Sequence, residues 1–200
     1  SERPQALPGE LPTYGGFYTQ EEIKNIVAFA DSLGITIVPE IEMPGHAAAA
    51  IAAYPNLSCS KLPQLPLTGG NYSGIASNFC AGNDSVKTFL TDVLTEVLEL
   101  FPSKYIHLGG DEVEKSAWKS CPVCNAYCAQ HQISSMDSLQ SDFIHYFDQW
   151  LSSKGRVMLG WDEILEGGLA PQAAVMSWRG VQGGIDAAKL GHDVVMTPGK

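Results

Sequence analysis

Basic residues are scarce in this chain. Twelve Lys and Arg stand against 22 Asp and Glu, a formal net charge of −10, and no cluster of cations stands out. A surface of that sign repels the phosphates of nucleic acids and of anionic membranes, so neither is expected as a partner. Long apolar runs are missing too: nothing approaches the ~18 consecutive apolar residues that cross a bilayer. The opening stretch, SERPQALPGELPTYGG, has no basic segment followed by an apolar one, so no signal peptide is read in it. No glycine-rich nucleotide fingerprint follows a predicted strand, because GGDEVEK lacks the required spacing. No G-x-S-x-G or Cys–His nucleophile motif occurs. What is there is ordinary globular material: 200 residues, 44% hydrophobic and 17% charged, enough for one domain with a sizeable core.

The cysteines number five, Cys59, Cys80, Cys121, Cys124 and Cys128, so at least one lies outside any internal pairing. CPVCNAYC contains C-x2-C, a zinc half-site, but no second half stands at convincing spacing. The run matches no iron–sulfur pattern. A local disulfide and plain thiols are the other readings. Cys59 and Cys80 flank a Pro/Gly-rich loop, and a bond between them would staple it.

Periodicity alternates between strand and helix. TQEEIKNIVAFADSLG predicts a helix opened by a Thr19–Glu22 capping box, with Ile23, Ile26, Val27, Ala30 and Leu33 on one face and Gly34 as the stop. Ile35–Glu42 follows as a buried strand, with Pro39 near its end. PGHAAAAIAAYP reads as a short helix, and Tyr54–Gly82 as a long loop. Such loops are usually functional or disordered. Asn83–Phe101 is the clearest helix, with Val86, Phe89, Leu90, Val93, Leu94, Val97 and Leu98 on one face and Asp84 as candidate cap. Asp137–Ser153 is another, lined by Leu139, Phe143, Ile144, Phe147 and Leu151. YIHLG, RVMLG, AAVMSW and DVVMTP read as strands, and GVQGGIDAAKLG as a weaker helix.

Alternation of this kind argues for an α/β fold with a parallel sheet, whose chemistry sits at the C-terminal strand ends. Polar or aromatic groups end each strand but the last: Glu40 and Glu42, Asp111 and Glu112, Trp161 with Asp162 and Glu163, Trp178 with Arg179. A (β/α)8 barrel gathers such ends into one mouth. Five strands do not close one, so residues 1–200 are expected to form part of a barrel domain.

The adjacent carboxylates Asp111 and Glu112 carry the sharpest signal. Past Gly109 and Gly110 the backbone can turn both into one pocket. Close carboxylates push their pKa values apart, which suits a general acid. The plainer reading is an exposed Asp-Glu that starts a loop or caps a helix. His46 follows another strand end and could orient a carboxylate or bind a sugar hydroxyl; a helix-start or buried histidine is its plainer reading. A metal role for His46 beside Glu42 is weak. His107 lies within a strand and reads as structural. Trp161 and Trp178 offer apolar faces for a pyranose ring, against plain core packing. Asp162–Glu163 supplies either a second carboxylate or a helix cap.

VPEIEMPGHAAAA, YIHLGGDEV, GWDEIL and VMSWRG, in that order, resemble glycoside hydrolase family 20, the β-N-acetylhexosaminidases. YGGFYTQEEI resembles the stretch before that family's third strand. The resemblance implies a (β/α)8 TIM barrel of which the chain covers roughly strands 3 to 7. It also implies exo-hydrolysis of terminal β-linked GlcNAc or GalNAc, in which the sugar's own 2-acetamido group is the nucleophile, an exception to the two-carboxylate scheme. On it, Glu112 is the acid/base and Asp111 orients the acetamide. His46 supports the acid/base, Glu42 stands where the family often has Asp, and Trp161 and Trp178 wall the sugar pocket. No metal or organic cofactor is implied. The partner is an N-acetylhexosamine-containing glycan, and export from the cytoplasm is expected. The family's sugar-binding Arg after the first strand, its His- and Trp-rich second-strand stretch and its C-terminal Tyr, Asp, Trp and Glu are not in the chain. The rival readings are a conventional retaining glycosidase with Glu163 as nucleophile, a non-catalytic carbohydrate-binding barrel, and a metal-dependent hydrolase using His46 and the carboxylates.

Overall fold

The computed structural model describes residues 16–64 and 76–199. The stretches 1–15 and 65–75, the second being the middle of the predicted Tyr54–Gly82 loop, lie outside the described residues. Helix α1 (Gln20–Ser32) opens on the capping box expected of it: the Thr19 hydroxyl accepts the Glu22 N–H and the Glu22 carboxylate accepts the Thr19 N–H. Gly34 follows with φ of 71°, the left-handed stop that glycine tolerates. Then come α2 (Ala48–Ala53), α3 (Asp84–Leu100), β1 (Tyr105–His107), α4 (Ser116–Ser120), α5 (Pro122–His131), α6 (Met136–Ser153), β2 (Val157–Trp161), β3 (Ala174–Ser177), α7 (Gln182–Lys189) and β4 (Val194–Met196).

The four strands are all parallel and lie in sequence order, β1-β2-β3-β4. Strictly sequential neighbours are the order of a barrel wall; a doubly wound sheet reverses direction at a switch point. The segment before β1 extends the series. Glu40 bridges His107 in parallel, the His107 N–H donates to Pro39 O, and the Ile41 and Met43 N–H groups donate to His107 O and Leu108 O, each at 2.9 Å. The regular strand expected over Ile35–Glu42 is nevertheless not formed. Pairing is confined to the stretch around Glu40, because Pro39 has no N–H to donate and Ile35 and Val38 are exposed.

The core lies between this sheet and the long helices. On α6, Leu139, Phe143, Ile144, Phe147 and Leu151 are all buried, as their spacing predicts. On α3, Val86, Leu90, Leu94 and Val97 are buried, but the N-cap is Asn83 rather than Asp84: its side-chain oxygen accepts the Ser85 N–H at 3.1 Å. The apolar face of α1 buries only Ala30 and leaves Ile26 and Leu33 exposed. Two helices have no counterpart in the periodicity analysis, α4 and α5. α4 has only five residues and α5 has little sidedness, and Cys121–Pro122 punctuates them; Pro122 occupies the first turn of α5, where no N–H is needed. All five cysteines are free, so the Cys59–Cys80 staple is not formed. Among the described residues, no helix is long and apolar enough to cross a membrane.

One cation ties two connections together. Arg156, just before β2, donates from Nη1 to Phe101 O at 3.0 Å and to Ser103 O, and from Nη2 to Leu98 O at 3.3 Å. These carbonyls end α3 and lead into β1, where a positive charge also meets the helix dipole favourably. Arg156→Met is expected to lower the unfolding free energy by about 2 kcal/mol, read by denaturant titration of the whole protein, with the strand-end chemistry unchanged.

Candidate active site

The site is built at the C-terminal end of β1. Beyond Leu108 the chain turns through Gly109 (φ 72°) and Gly110 (φ 94°), and Glu112 is also left-handed (φ 49°). Space as well as dihedral demands glycine here. A β-carbon on Gly109 would lie 1.9 Å from Glu42 Oε1, and one on Gly110 2.7 Å from Ile164 Cγ2. The turn is held on several sides. The Gly110 N–H donates to Glu42 Oε1 (3.1 Å), Gln140 Nε2 donates to Gly110 O (2.8 Å), and the Trp161 N–H donates to Gly109 O (2.8 Å). Gln140 comes from α6, and no feature of its own sequence neighbourhood marked it.

This turn brings both carboxylates to one imidazole. His46 Nε2 lies 3.3 Å from Asp111 Oδ2 and 3.4 Å from Glu112 Oε2. The two acids differ in setting: the Asp111 side chain is 17% exposed and that of Glu112 59%. Asp111 Oδ1 is buried, and the Asp111 carboxylate lies beside that of Glu42. His46 itself is left-handed (φ 47°). Its loop is braced by residues 77–79: the Ala47 N–H donates to Ser77 O, the Phe79 N–H donates to Pro44 O, and Asn78 Nδ2 donates to Glu114 O two residues past the acid/base candidate.

Glu42 sits behind Asp111. Burial, then the Asp111 charge, push its carboxyl up from 4.5 to about 9, so near neutrality it holds a proton. Glu42 is the carboxyl wedged against the glycine turn, which is what keeps it from water. His107 is structural, as expected: its Nδ1 accepts the Gly109 N–H at 3.0 Å, and burial holds the imidazole below its usual pKa.

Trp161 and Trp178 form an aromatic wall, with ring centroids 6.4 Å apart and planes at 71°. Each indole N–H is anchored on a carboxylate, Trp161 on Glu40 (2.9 Å) and Trp178 on Glu163 (3.0 Å). Together with Glu40, Glu42, His46, Asp111, Glu112 and Thr197 they line an open cleft of about 520 Å³. All six residues singled out from the sequence, Glu42, His46, Asp111, Glu112, Trp161 and Trp178, therefore meet in one place. Asp162 and Glu163 open a 3₁₀ turn after β2 and are buried. Arg179 Nε contacts Asp162 Oδ1 (2.9 Å) and Glu163 Oε1 (3.5 Å), and its Nη1 donates to Glu166 (2.9 Å). Burial pushes the Glu163 carboxyl above its usual pKa. Arg179 had no assigned role beyond its place at a strand end; its signal was the three acids Asp162, Glu163 and Glu166 after the preceding strand. The donor atoms of His46, Asp111 and Glu112 lie within 4.8 Å of one another, so the site could also hold a cation.

The arrangement has close relatives. The model of "Glycosyl hydrolase family 20, catalytic domain" matches residues 2–200. A beta-hexosaminidase of Porphyromonas gingivalis is 50% identical over 192 residues, 96% of this chain and 24% of that protein. The crystal structure of a beta-N-acetylhexosaminidase from Bacteroides fragilis superposes with a TM-score of 0.83 at 36% identity, over 95% of this chain and 38% of the other. A GH20 exo beta-N-acetylglucosaminidase from Vibrio harveyi, solved in complex with N-acetylglucosamine, superposes with a TM-score of 0.81 at 34% identity, over 92% and 29%. The chain thus spans about a quarter to two fifths of the length of these proteins.

The protonated Glu42 has a measurable consequence. Its folded pKa of about 9 lies above the ordinary 4.5. Between those values the folded chain holds a proton that the unfolded chain has released, so stability falls as pH rises across that window. Glu42→Gln is expected to flatten that part of the stability–pH profile, measured by thermal melts of both proteins. An unchanged slope would place the proton elsewhere. Gly109→Ala, by contrast, is expected to disrupt the turn at every pH.

Proposed function

The chain belongs to the catalytic domain of glycosyl hydrolase family 20, and on that premise we propose that the whole protein is an exo-β-N-acetylhexosaminidase. It removes terminal β-linked GlcNAc or GalNAc with retention, using the substrate's acetamido oxygen as the nucleophile. Glu112 donates its proton to the leaving glycosidic oxygen as the acetamide oxygen bonds to the anomeric carbon and the C–O bond breaks. The resulting oxazolinium-type ring is opened by water, whose proton returns to Glu112. Asp111 accepts the acetamide N–H and balances the positive charge that develops on the ring. The two acids need different surroundings for these tasks. The observation that carries the reading is that they have them: Glu112 faces the open cleft, while Asp111 is mostly buried between His46 and the protonated Glu42. His46 touches both and keeps them in register. Trp161 and Trp178 give the sugar ring its apolar walls.

Glu163 is a poor nucleophile in this arrangement. Its two oxygens are engaged by the Trp178 indole and by Arg179, which leaves it supporting the wall rather than facing the anomeric carbon. The proposal includes export, because polymeric glycans are met outside the cytoplasm; fractionating the producing cell checks it.

The test uses the whole protein, a chromogenic β-N-acetylglucosaminide, and the matching glucoside that lacks the acetamido group. Turnover is expected for the first alone, with kcat lowered by about 10²–10⁴-fold in Glu112→Gln and sharply in Asp111→Asn. Equal turnover of both sugars would overturn substrate assistance, in favour of Glu163 as nucleophile or of a cation-dependent reaction at His46. Turnover of neither by a folded protein would favour a carbohydrate-binding barrel.

A further inference from the structure

Four of the five cysteines converge on one point away from the strand-end chemistry. The Sγ atoms of Cys59, Cys80, Cys121 and Cys124 all lie within 4.8 Å of one another. Cys59–Cys124 and Cys80–Cys121 are separated by 3.8 Å and Cys80–Cys124 by 3.6 Å. Tetrahedral zinc with Zn–S bonds of ~2.3 Å requires S···S edges of ~3.8 Å. From these four sulfurs we infer that Cys59, Cys80, Cys121 and Cys124 form a structural tetrathiolate zinc site.

The surrounding fold supports the inference. The ligands come as two pairs from separate elements. Cys121 occupies the N-cap position of α5 and Cys124 stands one turn in, so the helix start sets both sulfurs on one side. Cys59 and Cys80 follow directly on Ser58 and Phe79, which form an antiparallel bridge, and the Cys80 N–H donates to Leu57 O at 2.8 Å. This is the second half-site that linear spacing could not supply. Gly82 lets the halves meet: a β-carbon there would lie 2.7 Å from Cys124 Cα. Three of the sulfurs are on buried residues and all four positions are filled by protein, as in structural rather than catalytic zinc sites. Coordination needs no oxidant; any thiol that binds zinc as thiolate releases its proton. Cys128 is the cysteine left outside.

The site would brace the proposed chemistry from behind. Cys80 ends the segment 77–80 that holds the His46 loop and the carbonyl of Glu114, and Trp118 of α4 donates from its indole to Phe79 O at 2.9 Å. Only this consequence rests on the hexosaminidase reading; metal content is independent of it.

The experiment measures metal in the whole protein purified without chelator or added thiol. About one zinc per chain is expected by elemental analysis, released in step with titration of the thiols by an organomercurial. Cobalt in its place should give the thiolate charge-transfer bands of a tetrahedral site. Cys59→Ser and Cys124→Ser should abolish or strongly reduce the zinc, whereas Cys128→Ala should keep it. The titration of the unaltered protein stands even if a variant fails to fold. Absence of metal with five titratable thiols, or one titratable thiol with two disulfides, would overturn the site. So would zinc that survives Cys124→Ser.

Discussion

The structure depends on a single steric arrangement: a carboxyl group occupies the space where the residue after Leu108 would carry its β-carbon. Glu42 leans into that space, so position 109 must be glycine, and the left-handed turn that follows swings Asp111 and Glu112 toward His46. The same contact removes Glu42 from water and sets it beside Asp111, which is why it holds its proton. Turn geometry, carboxylate placement and protonation state are three results of one close approach.

Around that turn the fold acts as a set of braces. The parallel strands deliver His107, Trp161 and Trp178 to the same end of the sheet. Helix α6 contributes Gln140 from the outer layer, and the segment 77–80 supports the His46 loop from the side. His107, Gln140 and the segment 77–80 end on backbone carbonyls or amides rather than on the Asp111 or Glu112 carboxylates. The carboxylates of Asp111 and Glu112 thus remain directed to the cleft.

Much of this was legible in the sequence, for a physical reason. Helices α3 and α6 are strongly periodic and strands β1 to β4 lie in short apolar runs, and both are local patterns. The strand–Gly–Gly–Asp–Glu run likewise announced its own turn. What was not legible depends on distant partners. Glu42 could not be recognised as the protonated carboxyl, because its neighbour Gly110 is 68 positions away. The sulfur cluster joins residues up to 65 positions apart. Helix α5 lacked a face to detect, and Pro39 broke a strand that its apolar neighbours advertised. Asn83 displaced Asp84 as cap through a one-residue difference that either side chain could have satisfied.

The tethered indoles carry a consequence for recognition entropy. A tryptophan free to rotate loses that freedom when a ligand stacks on it, at a cost of roughly 0.5–1.5 kcal/mol per immobilised side chain. Trp161 and Trp178 are each fixed through the ring N–H on a carboxylate, and Trp161 also packs edge-on against His107. These tethers restrict their rotamers in the folded chain. A ring that docks against them meets a surface whose shape was decided during folding, and most of its contact energy can appear as residence time in the cleft.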